Sequence, residues 1–131
     1  MAGYSGTPLP RKLGIKEGQR VALVDAPDHV EELLGELPSG ARVTRRAGGR
    51  CDLVLLFARS QAELAKRLPR AIELMDGAKL WIAWPKQGSE LEGDLGGDQV
   101  RAAGRAAGLV DFKVCAIDET WSGLCFARRK G

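Results

Sequence analysis

Apolar residues in this chain fall into short unbroken runs, separated by stretches in which they recur at helical spacing. Val21, Ala22, Leu23 and Val24 form the first run, within Gln19–Asp25 and bounded by Gly18 and Pro27. A run that does not alternate with polar positions predicts a strand covered on both faces, as in a parallel sheet. Val30, Leu33, Leu34 and Leu37 then share one face of a helix, Asp28 and Glu31 stand in a capping-box pattern ahead of it, and Pro38-Ser39-Gly40 ends it. Ala41–Arg46 is short and weakly apolar, which suits an edge strand. Cys51–Ala58 is the strongest strand pattern in the chain and so a central one. Ser60 and Glu63 repeat the capping-box pattern before Ala62, Leu64, Leu68, Ile72 and Met75, with Asp76-Gly77 closing the helix. Pro69 lies inside this helix and is expected to kink or split it. Ala78–Trp84 is a third buried strand. A long polar loop, Pro85–Gly97, follows; loops of that length in a compact domain are commonly functional. Asp98 is placed to cap an Ala-rich helix that contains Gly104 and ends at Gly108. Leu109–Asp118 and Trp121–Arg129 are joined by a short turn and are therefore antiparallel. Near the start, Thr7–Gly14 predicts one helical turn, with Thr7 as cap, Gly14 as stop, and Leu9 and Leu13 on one face.

Apolar strands alternating with helices predict an α/β, Rossmann-like sheet of about six strands with right-handed crossovers. The sheet is mostly parallel, carries helices on both faces and closes with a C-terminal antiparallel hairpin. Residues 1–131 make a single domain on this reading, with 1–14 an N-terminal arm and short helix. Tyr4 and Leu9 are candidates to anchor that arm.

Parallel βα units closed by an antiparallel hairpin resemble the class I methyltransferase fold. "LGIKEGQRVALVD" resembles that superfamily's lead-in to its first strand, "MDGAKLWIAWPK" a later strand and its loop, and "AAGLVDFKVCAIDETWSG" its last helix and hairpin. Taken together, "GYSGTPL", "KLGI", "WPK" and "VCAIDETWSGL" resemble a family of short bacterial proteins known as domain-of-unknown-function family 3052. That resemblance implies a trimmed methyltransferase-like fold and no established activity, so it supplies no catalytic residues.

S-adenosylmethionine binding in such a fold needs backbone close to the ligand after the first strand, usually through glycines. It typically needs an acid after the second strand to accept from the ribose. Here the first position reads Asp25-Ala26-Pro27-Asp28-His29, and Pro27 has a fixed φ and no N–H. The second strand ends in Arg45-Arg46, the opposite charge. So few residues separate Arg46 from Cys51 that one βα unit of the full fold is missing. No dinucleotide fingerprint or P-loop follows any strand.

Composition narrows the classes further. The 131 residues, 44% hydrophobic and 28% charged, suit one ordinary globular domain. The net charge of +3 is a mild bias, with Arg42, Arg45, Arg46 and the tail as basic clusters, so nucleic acid is an unlikely partner. No apolar run reaches membrane-spanning length and the opening residues lack a signal-peptide core, so a cytoplasmic location is expected. Cys51, Cys115 and Cys125 form no CxxC pair and His29 is the sole histidine, so buried free thiols and no metal site are expected.

In an open parallel sheet, ligands bind beyond the carboxyl ends of the strands where strand order reverses. The strand assignment puts Asp25, Asp28 and His29 there after the first strand, Arg59 and Ser60 after the central one, and Trp84 and Lys86 after the third. Asp118, Glu119 and Trp121 join them from the hairpin tip. Arg59 and Lys86 are candidates to hold a small polar or anionic ligand, with Trp84 or Trp121 stacking on it. Asp25 with His29 is a candidate proton-transfer pair. In structural terms Asp28 and Ser60 are helix caps, Arg59 pairs with Asp25, and the tryptophans cover the sheet. The expected function is non-catalytic binding of a small ligand or a protein partner, with no cofactor and possible homodimerisation at the exposed edge. The alternative is a divergent S-adenosylmethionine-dependent methyltransferase.

Overall fold

In the computed structural model, which describes residues 7–46 and 48–128 (76–78 by backbone alone), each apolar run is a strand. The strands are β1 (Arg20–Val24), β2 (Arg42–Thr44), β3 (Cys51–Phe57), β4 (Met75–Pro85), β5 (Leu109–Ala116) and β6 (Trp121–Arg128). The helices are α1 (Leu9–Leu13), α2 (Val30–Leu34), α3 (Gln61–Leu74) and α4 (Gly97–Ala106). Tyr4 and the arm before Thr7 lie outside the described residues, as do Arg129 and Lys130 of the tail.

The six strands form one sheet in the order β2-β1-β3-β4-β6-β5. β2, β1, β3 and β4 are mutually parallel, and β6 runs antiparallel to both β4 and β5. Strand order therefore reverses between β1 and β3: α2 leads from β1 outward to β2, the chain returns past β1 to β3, and α3 leads from there the other way to β4. That gap is the place where such sheets open a crevice.

Side chains alternate across the sheet and divide the core in two. Ala22, Val54, Leu56, Leu80, Ile82, Leu124 and Phe126 meet Leu64, Leu68 and Leu74 of α3 and Val100 of α4. Val21, Leu23, Leu53, Leu55, Phe57, Trp81 and Cys125 meet Leu13, Val30 and Leu34 on the other face. Each fully buried residue of this size contributes roughly 1.5–3 kcal/mol. β3, buried from Leu53 to Phe57, is central as its composition predicts. On the α2 side, the indole Nε1 of Trp81 donates to the Leu13 carbonyl at 2.8 Å and so ties α1 to the sheet.

Several local details depart from the sequence pattern. Asp28 and Glu31 make no capping box: α2 starts after His29 without a side-chain cap and ends at Gly35, before Leu37. The Glu31 carboxylate goes to Arg45 instead, which offers a charged fork where Asp28 offers one neutral N–H. In α1 the N-cap is Pro8 rather than Thr7, and the first helical residue is Leu9. α4 starts two residues earlier than expected, with Gly96 as its N-cap and Asp98 within the first turn, 3.7 Å from Arg101. Ser60 does cap α3, accepting from the Glu63 N–H at 3.1 Å, but Glu63 returns its bond to the N–H of Arg59 rather than Ser60. Pro69 does not split α3, which runs for 14 residues. Its pyrrolidine is exposed, and packing of Leu64, Leu68, Ala71 and Leu74 offsets the one lost backbone bond.

Gly104 explains the small-residue character of α4. A Cβ there would fall 2.2 Å from Phe126 Cε2, so the helix rides directly on that ring. The sheet also has a second edge that composition does not reveal. β5 exposes Val110, Phe112 and Val114, and a register shift between Asp111 and Lys113 interrupts it. Bulges and lysines of this kind discourage edge pairing.

Candidate functional site

The reversal between β1 and β3 opens a cleft of about 620 Å³, lined in part by Glu90 and Leu91 of the long loop and by Thr120 and Trp121 of the hairpin. Asp25, Ala26, Pro27 and His29 line it from the β1 side, Phe57, Ala58 and Arg59 from the β3 side, and Glu63 and Arg67 from α3.

Asp25 turns the chain out of β1 with φ +54°, the one described non-glycine residue at positive φ. Asp tolerates this left-handed region better than most residues, so it makes the sharp turn for which glycine is usual. Arg67 holds it there. Its Nε lies 3.0 Å from Asp25 Oδ2, and its Nη1 donates to the Phe57 carbonyl at 3.0 Å and to Glu63 Oε1 at 3.1 Å. One guanidinium thus joins the ends of β1 and β3 to α3. Asp25 therefore pairs with Arg67, not Arg59. Sequence spacing gave no sign of it, because Arg67 sits two turns into a helix with the composition of a solvated face.

Arg59 is left with an exposed guanidinium that has no partner among the described residues, while its N–H is fixed by Glu63 Oε1 at 2.8 Å. His29 is half exposed, and its Nε2 lies 3.1 Å from Oδ2 of Asp118, which does not itself line the cleft. The partner of His29 is Asp118 and not Asp25, because the left-handed turn sends Asp25 toward α3. Asp118 accepts at Oδ1 from the N–H groups of Thr120 and Trp121, both at 2.8 Å. Burial alone would raise the pKa of this carboxyl, but the bonds from His29, Trp121 and Thr120 outweigh it and hold it below the ordinary value.

The remaining candidates disperse. Trp84 pairs in register with Ser122, so Trp121, one residue earlier, points to the opposite face of the sheet. Trp84 packs under α4 instead, 3.4 Å from a Cβ built on Gly97. With Lys86 it lines a separate groove of about 420 Å³. Trp121 is 3% exposed and meets Phe57 edge to face at 5.0 Å, so it is floor rather than stacking platform. Ser60 serves as a helix cap, and Asp28 and Glu119 do not line the cleft. The three thiols are buried and free. Burial raises all three, Cys125 to about 12, which keeps them protonated.

In the sequence Arg45 stands out as the wrong charge for a ribose site and as part of a basic cluster. Its Nη1 and Nη2 donate to the carbonyls of Ala26 and Pro27, both at 2.7 Å, and its Nε and Nη2 grip Glu31. The second strand's terminal arginine is thereby a staple across the loop that follows the first.

A family model described as "Protein of unknown function (DUF3052)" matches residues 11–130. The chain belongs to this family. No curated protein matches it significantly. Among solved structures, a SAM dependent methyltransferase from Aquifex aeolicus superposes with TM-score 0.58 at 14% identity, covering 88% of this chain and 85% of the other. Magnesium protoporphyrin IX methyltransferase from Synechocystis, with bound SAM, gives TM-score 0.59 at 10% identity over 92% of this chain and 74% of that one. An O-methyltransferase family 2 protein from Planctomyces limnophilus, in complex with apigenin, gives 0.59 at 10% identity over 86% and 50%. At such identities the likeness shows the fold alone: this family member has a methyltransferase-like sheet. Among the described residues, no helix is long and apolar enough to cross a membrane.

Proposed function

We propose that this protein is a non-catalytic binding protein on a methyltransferase-like sheet, and that a small polar or anionic molecule occupies the cleft between β1 and β3. One observation carries the reading: the corner after β1 is satisfied by the chain's own side chains. Arg45 holds the Ala26 and Pro27 carbonyls, and Arg67 holds Asp25. An adenosyl group at this corner wants backbone donors and, beyond β2, an acceptor for its ribose. Pro27 has no N–H to give, and Arg45 is a donor already engaged with Glu31. The residues do not fit the group, so S-adenosylmethionine is not the ligand on this reading. The rival, a divergent S-adenosylmethionine-dependent methyltransferase, draws on the shared fold and on no donor set in this cleft.

The cleft itself stays open. At about 620 Å³ it is large enough for a small molecule. The unpartnered guanidinium of Arg59 favours an anionic group, and Phe57 and Trp121 supply an apolar floor. The test is an NMR titration of isotope-labelled protein with pools of small polar compounds. Amide shifts concentrated at Asp25, His29, Arg59 and Thr120 are expected. Shifts confined to other surfaces, or a perturbed cleft only with adenosyl compounds, would overturn the proposal.

A further inference from the structure

We infer that the cleft takes a small monocarboxylate bearing a hydroxyl on the adjacent carbon, with the carboxylate on Arg59 and the hydroxyl donating to Nδ1 of His29. This rests on the cleft being a ligand site, as proposed above.

The tautomer of His29 follows from its partner. Asp118 has both oxygens engaged: Oδ1 by the Thr120 and Trp121 N–H groups, Oδ2 by His29 Nε2. An ionised carboxylate only accepts, so Nε2 must carry the proton. The neutral ring then has its lone pair on Nδ1. His29 lines the cleft with its side chain 48% exposed, and the acceptor left for a ligand is Nδ1. Asp118 acts through His29, as a positioning residue.

Charge fixes the rest of the ligand. Of the two arginines lining the cleft, Arg67 is spent on Asp25, Glu63 and the Phe57 carbonyl. Arg59 remains, and its planar fork matches one carboxylate. Asp25, Glu63 and Glu90 also line the cleft and would repel a second negative charge. Phe57, Leu91 and Trp121 leave apolar surface for a short carbon chain.

The experiment compares 2-hydroxybutyrate with butyrate by NMR titration of the wild type, R59Q, D118N and H29F. The wild type should bind 2-hydroxybutyrate about threefold to tenfold more tightly, the value of one neutral hydrogen bond. R59Q should weaken both ligands by about tenfold or more, since a charge-assisted contact is lost. In D118N the amide oxygen can still accept from Thr120 and Trp121, so the turn is kept. Its NH₂ then faces the imidazole and demands the other tautomer, with the proton on Nδ1. The ring nitrogen shifts should report that flip while butyrate affinity holds; the hydroxyl can then accept from Nδ1–H, so the preference is deleted only in H29F, which has no ring nitrogen and should bind the two acids alike. Equal binding of the two acids to the wild type would overturn the inference. So would no binding of either at about 10 mM, a D118N protein with unchanged tautomer, or an H29F protein that keeps the preference. In each case, perturbation of the cleft by another polar compound would leave the parent reading standing, and perturbation of the cleft by none would sink both.

Discussion

Arg45 grips Glu31 at both carboxylate oxygens, Nε to Oε2 at 2.7 Å and Nη2 to Oε1 at 2.8 Å, and from that position bonds the backbone of Ala26 and Pro27. An arginine beyond β2 and an acid in α2 therefore set the shape of the loop between β1 and α2. R45A should lose about 1–2 kcal/mol, a value kept low by partial solvent exposure, and should loosen that loop. Denaturant unfolding measures the first effect, and amide exchange at Ala26 and Asp28 the second.

The same pair has a pH signature. The hydrogen bonds from Arg45 lower the Glu31 carboxyl from its ordinary 4.5 to about 2. A folded-state pKa below the unfolded one gives stability that is fully present above the unfolded value and disappears as pH falls through the folded one. The stability difference between wild type and E31Q should therefore be largest above about pH 5 and shrink toward pH 2. A difference that is flat across that range would contradict the assignment.

Asp25 sits at φ +54° beside its Arg67 partner, so backbone and charge act at one residue. D25G and D25A both remove the ion pair, but only glycine accepts the left-handed turn without strain. D25A should be less stable than D25G by about 1 kcal/mol, the reverse of their order in an ordinary loop. Thermal unfolding of the two variants checks this.

Gly104 and Phe126 leave no room for a methyl group between α4 and the sheet. Alanine is the better helix former by about 1 kcal/mol. G104A should nevertheless destabilise the protein by about 1–3 kcal/mol, because helix or ring must move. A stabilised variant would show that the helix does not ride as close as described.

Trp81 donates to the Leu13 carbonyl in the buried layer between α1 and the sheet. W81F keeps much of the apolar volume and leaves that carbonyl without its partner. A loss of about 1–3 kcal/mol is expected, with faster amide exchange in α1.

The sheet was legible in the sequence because its strands are continuous apolar runs, and Leu53–Phe57 could hardly lie anywhere but the centre. The cleft was half legible. Asp25, His29, Arg59 and Trp121 follow strand ends that the fold brings together. Trp84 and Lys86 follow one too, yet side-chain alternation turns Trp84 to the other face, and a shift of one residue decides that. The cap pattern at Asp28 misleads because the Glu31 carboxylate that would complete it goes to Arg45, and the one at Asp98 because the N-cap lies two residues ahead of it, at Gly96. Arg45 and Arg67, the residues that brace the corner, were least legible. Their roles depend on contacts 14 to 19 residues away for Arg45 and on the turn at Asp25 for Arg67, and no local pattern records either.

The central claim concerns the corner from Asp25 to His29, and calorimetric titration with S-adenosylmethionine and S-adenosylhomocysteine tests it most directly. Neither compound should bind the wild-type protein with a dissociation constant below about 1 mM. Saturable micromolar binding of either one, abolished by substitutions at Asp25 or His29, would contradict the account.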